Sequence, residues 1–226
     1  MAHDGTAMTG TKVGTDTRAR ILDTAERLFA ETGLAATSLR QVTTAAGVNL
    51  AAVHYHFGSK DGLVQAVYER HIAPVNRERL RLLDLYEATP SPGAAQLEQL
   101  VEALVGPVLR LKKDDPVAAR SVRCLIGRIY CEPGDQMKSV LCQFDEIRER
   151  FPAAFSRALP HLSRTELLWR VHFMIGATLH TTGAGQLLEQ VSEGPCDPNN
   201  TEETVRQLVH FLCAGLRSAS TAAEEV

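Results

Sequence analysis

The sequence predicts an all-α chain. Aromatic residues make up only 5% of its 226 positions, too few for the aromatic-rich strands of a β-sandwich or barrel. Long runs are built instead from Ala, Leu, Arg, Glu and Gln, the residues that lose least on entering a helix. Apolar side chains contribute 44% and charged ones 23%, a balance that excludes wholesale disorder and supplies one or two domains with a sizeable core. The formal charge of −3 excludes a uniformly basic coat.

Residues 1–14, rich in Gly and Thr, are expected to form a flexible arm. A first helix is predicted over Thr17–Thr32, where Ile21, Leu22, Ala25, Leu28 and Phe29 share a face and Gly33 stands at the end. Ser38 followed by Gln41 has capping-box spacing and opens a second helix, which Gly47 stops. Gly47-Val48-Asn49 is a tight turn: Gly47 supplies a positive φ and Asn49 caps a third helix over Leu50–His56. Ser59 caps a fourth, with Asp61 favourably placed in its first turn. Short helices joined this way make a helix-turn-helix, its motif at about 38–57. The fourth helix runs to about Tyr86 and is expected to bend at Pro74, whose ring removes an internal hydrogen bond.

Thr89-Pro90-Ser91-Pro92-Gly93 is a break. Further helices are predicted over Ala95–Leu111, Pro116–Tyr130, Gln136–Leu159, Glu166–Val191 and Glu202–Ser218, with capping-box spacing at Ser163/Glu166 and Asn200/Glu203. Residues 219–226 are expected to fray. The boundaries that follow are an arm over 1–14, a helix-turn-helix domain over 15–75, a helical body over 76–218 and a tail over 219–226.

From Thr32 to Lys60 there is no Asp or Glu. Arg40 and Lys60 in that window are cationic, and His54 and His56 add hydrogen-bonding groups, which suits a surface that approaches phosphates. Ala51 and Ala52 allow close approach to a groove, whereas Val53 and Phe57 are assigned to packing on the first helix. The first 82 residues hold ten basic against eight acidic side chains, and the remainder 14 against 19. An acidic body avoids non-specific nucleic-acid binding.

Thr37-Ser38-Leu39-Arg40-Gln41-Val42, Ala45-Ala46-Gly47-Val48 and Val53-His54-Tyr55-His56-Phe57-Gly58-Ser59-Lys60 together resemble the DNA-binding domain of the tetracycline-repressor (TetR) family of bacterial transcription regulators, over about Gly14–Val75. The resemblance implies a homodimer reading a palindromic double-stranded operator, with the helical body binding a ligand and dimerising. It also implies Arg40 near base edges or phosphates, and Leu50, Ala51, Ala52, His54 and Tyr55 in the groove. Tyr55, His56 and Lys60 would contact backbone phosphates, and Asn49 joins the same contact set. The alternative is that His54 and His56 are simply solvated and Tyr55 partly core.

Further along, Glu166-Leu167-Leu168-Trp169-Arg170-Val171-His172-Phe173-Met174-Ile175-Gly176-Ala177, together with Asn49-Leu50-Ala51-Ala52-Val53, resembles the fatty-acid-responsive branch of the family. That implies a repressor released by a fatty acid or acyl-CoA; a different hydrophobic effector and control of efflux or catabolic genes stays open. Apolar pocket candidates are Leu104, Val108, Ile126, Tyr130, Phe144, Phe151, Phe155 and Phe173, with Arg120 or Arg123 to meet an acidic head group. The same residues also fit plain core and surface arginines. By resemblance the last two helices meet a partner's in a four-helix bundle, with Val205, Leu208, Val209, Leu212 and Leu216 as the interface, although an ordinary core face would show the same stripe.

An enzyme is disfavoured, because the sequence holds no G-x-S-x-G elbow, phosphate loop or H-E-x-x-H. No cofactor or metal is expected: His172 and His180 lack a third ligand. The five cysteines include no C-x-x-C pair, and four of them lie in helical patterns as small hydrophobes. No run of 18 apolar residues and no signal-peptide core stands in the chain, so a cytoplasmic protein away from the membrane is expected.

Overall fold

A computed structural model describes residues 9–89, 93–114, 141–183, 185–193 and 195–220. Every regular element among them is helical. In chain order they are α1 (Thr9–Thr32), α2 (Leu39–Ala46), α3 (Leu50–Phe57), α4 (Lys60–Ala88) and α5 (Ala94–Asp114), then a 3-10 turn at Cys142–Phe144, α6 (Asp145–Ala158), α7 (Arg164–Gly183), α8 (Gly185–Val191) and α9 (Thr201–Arg217). The helix predicted over Pro116–Tyr130 and the first part of that over Gln136–Leu159 lie outside the described residues. No described helix is long and apolar enough to cross a membrane.

Local capping chemistry sets most of the boundaries. Ser38 and Gln41 form both halves of their box, the Gln41 amide donating to Ser38 Oγ at 3.3 Å and the Ser38 amide to Gln41 Oε1 at 2.7 Å. Gly47 ends α2 at a φ of 63°, a left-handed conformation that favours glycine. Asn49 Oδ1 accepts from the Ala52 amide at 2.9 Å, and Ser59 Oγ from the Gly62 amide at 3.1 Å. Ser163 and Glu166 close a second full box at the start of α7. At α9 only half of the expected box forms. Asn200 Oδ1 accepts from the Glu203 amide at 3.1 Å, but the Glu203 carboxylate turns forward to Arg206 and Gln207, because an ionic partner one turn on outcompetes a neutral amide.

Three expectations change. The first helix starts at Thr9 rather than Thr17, so residues 9–14 of the expected arm are helical; a helix nucleated by the buried Ile21, Ala25 and Phe29 adds turns cheaply. The tail is held at its start: Arg170 donates to the carbonyls of Ser218 and Ala219, and Ser220 Oγ donates to Glu166. The stripe Val205, Leu208, Leu212 and Leu216, expected to face a partner, is buried inside this chain, with Val209 half-buried beside it. It packs on α5, whose Leu97, Leu100, Val101 and Leu104 need that cover. Between its capped ends α4 runs unbroken through Pro74.

Two apolar clusters divide the chain. The first joins α1 to α4 through Ile21, Phe29, Val42, Val53, Leu63, Val67 and Tyr68. The second begins at Leu83 and gathers α5, α6, α7 and α9. The 3-10 turn ties them together. Its Phe144 packs on the first cluster, its Gln143 side chain donates to the Gln65 carbonyl at 3.3 Å, and its Gln143 carbonyl accepts from buried Asn76 at 2.7 Å. Asn76 Oδ1 in turn accepts from Arg79, whose Nε donates to the Leu104 carbonyl.

Candidate nucleic-acid interface

The third helix has one face in the core and one in solvent. Val53 is fully buried, and Ala52 and Phe57 pack against the first cluster. Helical periodicity therefore sends Leu50, Ala51, His54 and Tyr55 outward together, at positions i, i+1, i+4 and i+5. All four are exposed, Tyr55 at 85%. An aromatic this large left so far out of a small core is the sort of group that meets a partner.

The remaining sequence candidates flank that strip. Arg40 is exposed in the first turn of α2. His56 is half-buried and meets Tyr55 edge to face, ring centres 5.0 Å apart. Lys60, half-buried at the start of α4, sends Nζ to within 3.5 Å of the Ala35 carbonyl. Asn49 is exposed, but its side-chain oxygen is already committed to capping α3. Neither α2 nor α3 has an acid in its first turn, so the partial positive charge of both helix N-termini is uncompensated there.

Two residues matter that sequence reading passed over. The Arg18 guanidinium lies 5.3 Å from the centre of the Phe57 ring, over its face, bracing the end of α3 from α1. No spacing rule pairs residues so far apart. Gly62 sits where an added Cβ would come within 2.0 Å of the Phe57 carbonyl oxygen, so only glycine lets α4 begin directly beneath the end of α3. A glycine in the first turn of a long amphipathic helix was the available signal.

Among the described residues the pocket candidates do not converge on one cavity. Leu104, Phe151 and Phe155 are buried in the second cluster, and Val108 is half-buried against it. Phe144 packs the other way, on the first cluster. Phe173 is 63% exposed and stacks on Trp169 at 5.8 Å, because Leu167, Met174 and Thr178 take the inner face of α7. Arg120, Arg123, Ile126 and Tyr130 lie outside the described residues. A cleft of about 540 Å³ between α5 and α9 is lined by Glu98, Glu102, Arg110, Glu202, Arg206 and His210 among others. Hydrogen bonds from Arg110 to Glu202 at 2.9 Å and to Glu102 at 2.7 Å cross it and push the guanidinium pKa further up. So charged a cleft does not suit an apolar ligand.

Residues 21–67 match the family model for bacterial regulatory proteins of the tetR family, and residues 102–215 match that for the tetracyclin repressor-like C-terminal domain. The HTH-type transcriptional regulator AcrR of Shigella flexneri is 43% identical over 54 residues, 24% of this chain and 25% of that protein. The HTH-type transcriptional repressor KstR2 of Rhodococcus jostii is 42% identical over 50 residues, 22% of this chain and 24% of its own. The chain thus spans about a quarter of the length of these curated relatives. Solved structures extend the fold likeness over nearly the whole chain. The fatty acid degradation regulator FadR of Bacillus halodurans has a TM-score of 0.58 at 12% identity, covering 96% of this chain and 99% of that one. SmeT, repressor of the Stenotrophomonas maltophilia multidrug efflux pump SmeDEF, has 0.56 at 19% identity, covering 93% and 99%. FadR of Bacillus subtilis, in complex with stearoyl-CoA, has 0.55 at 13%, covering 87% and 98%. With the family's N-terminal model matched at one end and its repressor-like C-terminal model matched over half the chain at the other, there is one reading: this chain belongs to the tetracycline-repressor family of bacterial transcriptional regulators.

Proposed function

We propose that the protein is a ligand-responsive repressor that binds a palindromic operator as a homodimer in the bacterial cytoplasm. The observation that carries this reading is the outward strip Leu50, Ala51, His54 and Tyr55 on α3, in a stretch of chain free of acids. Leu50 and Ala51 suit thymine methyl groups, Arg40 suits guanine or phosphate, and Tyr55, His56 and Lys60 suit the backbone. The domain division goes with it: a DNA-binding unit to about residue 75, whose core ends at Tyr68, and a sensor and dimerisation body whose core begins at Leu83.

One such head reads too few bases for specificity, so a two-fold dimer is required, its heads one helical turn apart at about 34–36 Å. The surface that supports dimerisation is the outer face of α7 and α9, where Trp169 is 59%, Phe173 63% and Phe211 68% exposed. For the effector we propose a lipophilic molecule, a fatty acid or acyl-CoA first. The support is the sequence resemblance in α7 and a fold shared with a regulator solved with stearoyl-CoA. The efflux-type alternative has support of the same kind. Ligand binding would favour a spacing of the two heads that misses the second half-site, and a coupling of about 1–3 kcal/mol suffices for modest induction.

A mobility-shift assay on the DNA upstream of its own gene tests the regulator reading. A shifted inverted repeat is expected, and failure to bind any inverted repeat would overturn it. Native mass spectrometry of the purified protein addresses the effector. A co-purifying acyl chain supports the lipid reading, and operator affinity unchanged by fatty acid or acyl-CoA counts against it.

A further inference from the structure

His54 stands in the exposed strip of α3, one turn beyond Leu50. Its Nδ1 lies 2.8 Å from the carbonyl oxygen of Gly58. A carbonyl only accepts, so the proton of this hydrogen bond is on Nδ1. The Gly58 amide donates back to the His54 carbonyl at 3.0 Å, so side chain and backbone of the same two residues are bonded in both directions and the ring is held in place. With Nδ1 carrying the proton, the neutral imidazole presents a bare lone pair at Nε2.

An acceptor aimed into the major groove is selective. Of the four bases only adenine, through its N6 amino group, and cytosine, through its N4 amino group, offer a donor there; guanine and the thymine carbonyl offer acceptors. A phosphate oxygen is an acceptor too, so this tautomer does not suit the DNA backbone. Of the other exposed groups of the strip, Leu50 and Ala51 are apolar and Tyr55 meets the half-buried His56 edge to face.

We infer that His54 is a specificity residue that accepts a hydrogen bond from an exocyclic amino group of adenine or cytosine through Nε2, its tautomer set by the Gly58 carbonyl. The inference rests on the proposal that α3 enters the major groove. It differs from a general DNA contact in naming the atom, its role and the bases it rejects.

The experiment starts with selection of binding sites from a random duplex pool by the full-length protein. Each half-site is expected to hold one position fixed as adenine or cytosine that becomes indifferent when His54→Ala is used in the same selection. Duplexes are then made with that base replaced by its analogue lacking the amino group, purine for adenine or 2-pyrimidinone for cytosine. Wild type is expected to lose roughly tenfold in affinity, the scale of one hydrogen bond, while His54→Ala binds both duplexes equally. Because His54→Ala also removes the bond to Gly58, His54→Arg provides a second test. A donor-only side chain is expected to move the preference at that position to guanine. Guanine at that position with wild type, or equal sensitivity of wild type and His54→Ala to the analogue, overturns the role given to His54. If no inverted repeat is selected at all, the DNA-reading assignment of α3 falls, and this inference falls with it.

Discussion

Single side chains at the α3 surface separate binding from folding. Tyr55 is 85% exposed and buries little in the core, so Tyr55→Ala is expected to weaken operator binding at least tenfold while thermal unfolding and dimer mass stay unchanged; unchanged binding would move the reading surface elsewhere. Gly62→Ala makes the opposite separation. A Cβ within 2.0 Å of the Phe57 carbonyl meets rigid backbone, and about 1–3 kcal/mol of stability should be lost in a urea titration, with DNA binding lost as a consequence. Cysteines show the same dependence on surroundings. Burial pushes the Cys213 thiol up to about 11, whereas Cys142 and Cys196 are exposed. Under native conditions a thiol reagent, followed by peptide mapping, should mark Cys142 and Cys196 and spare Cys213. At this scale the sequence was readable for most partners three residues away: Ser38, Asn49, Ser59 and Ser163 cap as their spacing says, whereas the Glu203 carboxylate leaves its box with Asn200 for Arg206. It was silent on Arg18 over Phe57 and on the crowding at Gly62, since both depend on which helix ends are brought together.

Helices were legible by their periodicity, and their ends by caps, while the joins between them were not. The 3-10 turn at Cys142–Phe144 had no signal, because its work is done by one aromatic and two side-chain amides reaching another element. That turn is the polar tie between the two cores, and Asn76 is its buried anchor. Asn76→Leu strands the Gln143 carbonyl and one Arg79 donor; a loss of about 1–3 kcal/mol is expected in chemical denaturation. Operator binding by effector-free protein should survive, because no residue of the α3 strip is touched.

For the whole molecule, the all-α class and its division into a small head and a larger body followed from composition, breaks and charge. Which apolar face turns inward did not, since a stripe such as Val205, Leu208, Leu212 and Leu216 fits a core and an interface equally, and only the apolar length of α5 decides. Two variants of α9 and its neighbour therefore have different fates. Trp169→Glu combined with Phe211→Glu should give a folded monomer by sedimentation, with helicity intact and weak operator binding. Leu208→Glu puts a charge into the core and should cost about 3 kcal/mol or more, seen as loss of the folded state rather than of the dimer alone.

Arg170 gives the chain a closed seam where an open end would be expected. Its guanidinium takes the carbonyls of Gly215, Leu216, Ser218 and Ala219, at 2.8 to 3.1 Å, 45 to 49 residues further on. These oxygens sit past the last intrahelical donors of α9, at the negative pole of its dipole, where a cation is most favourable. Terminal turns ordinarily open first and let exchange and proteolysis work inward. With this seam in place, the amides of the last turn of α9 should exchange as slowly as those in its middle.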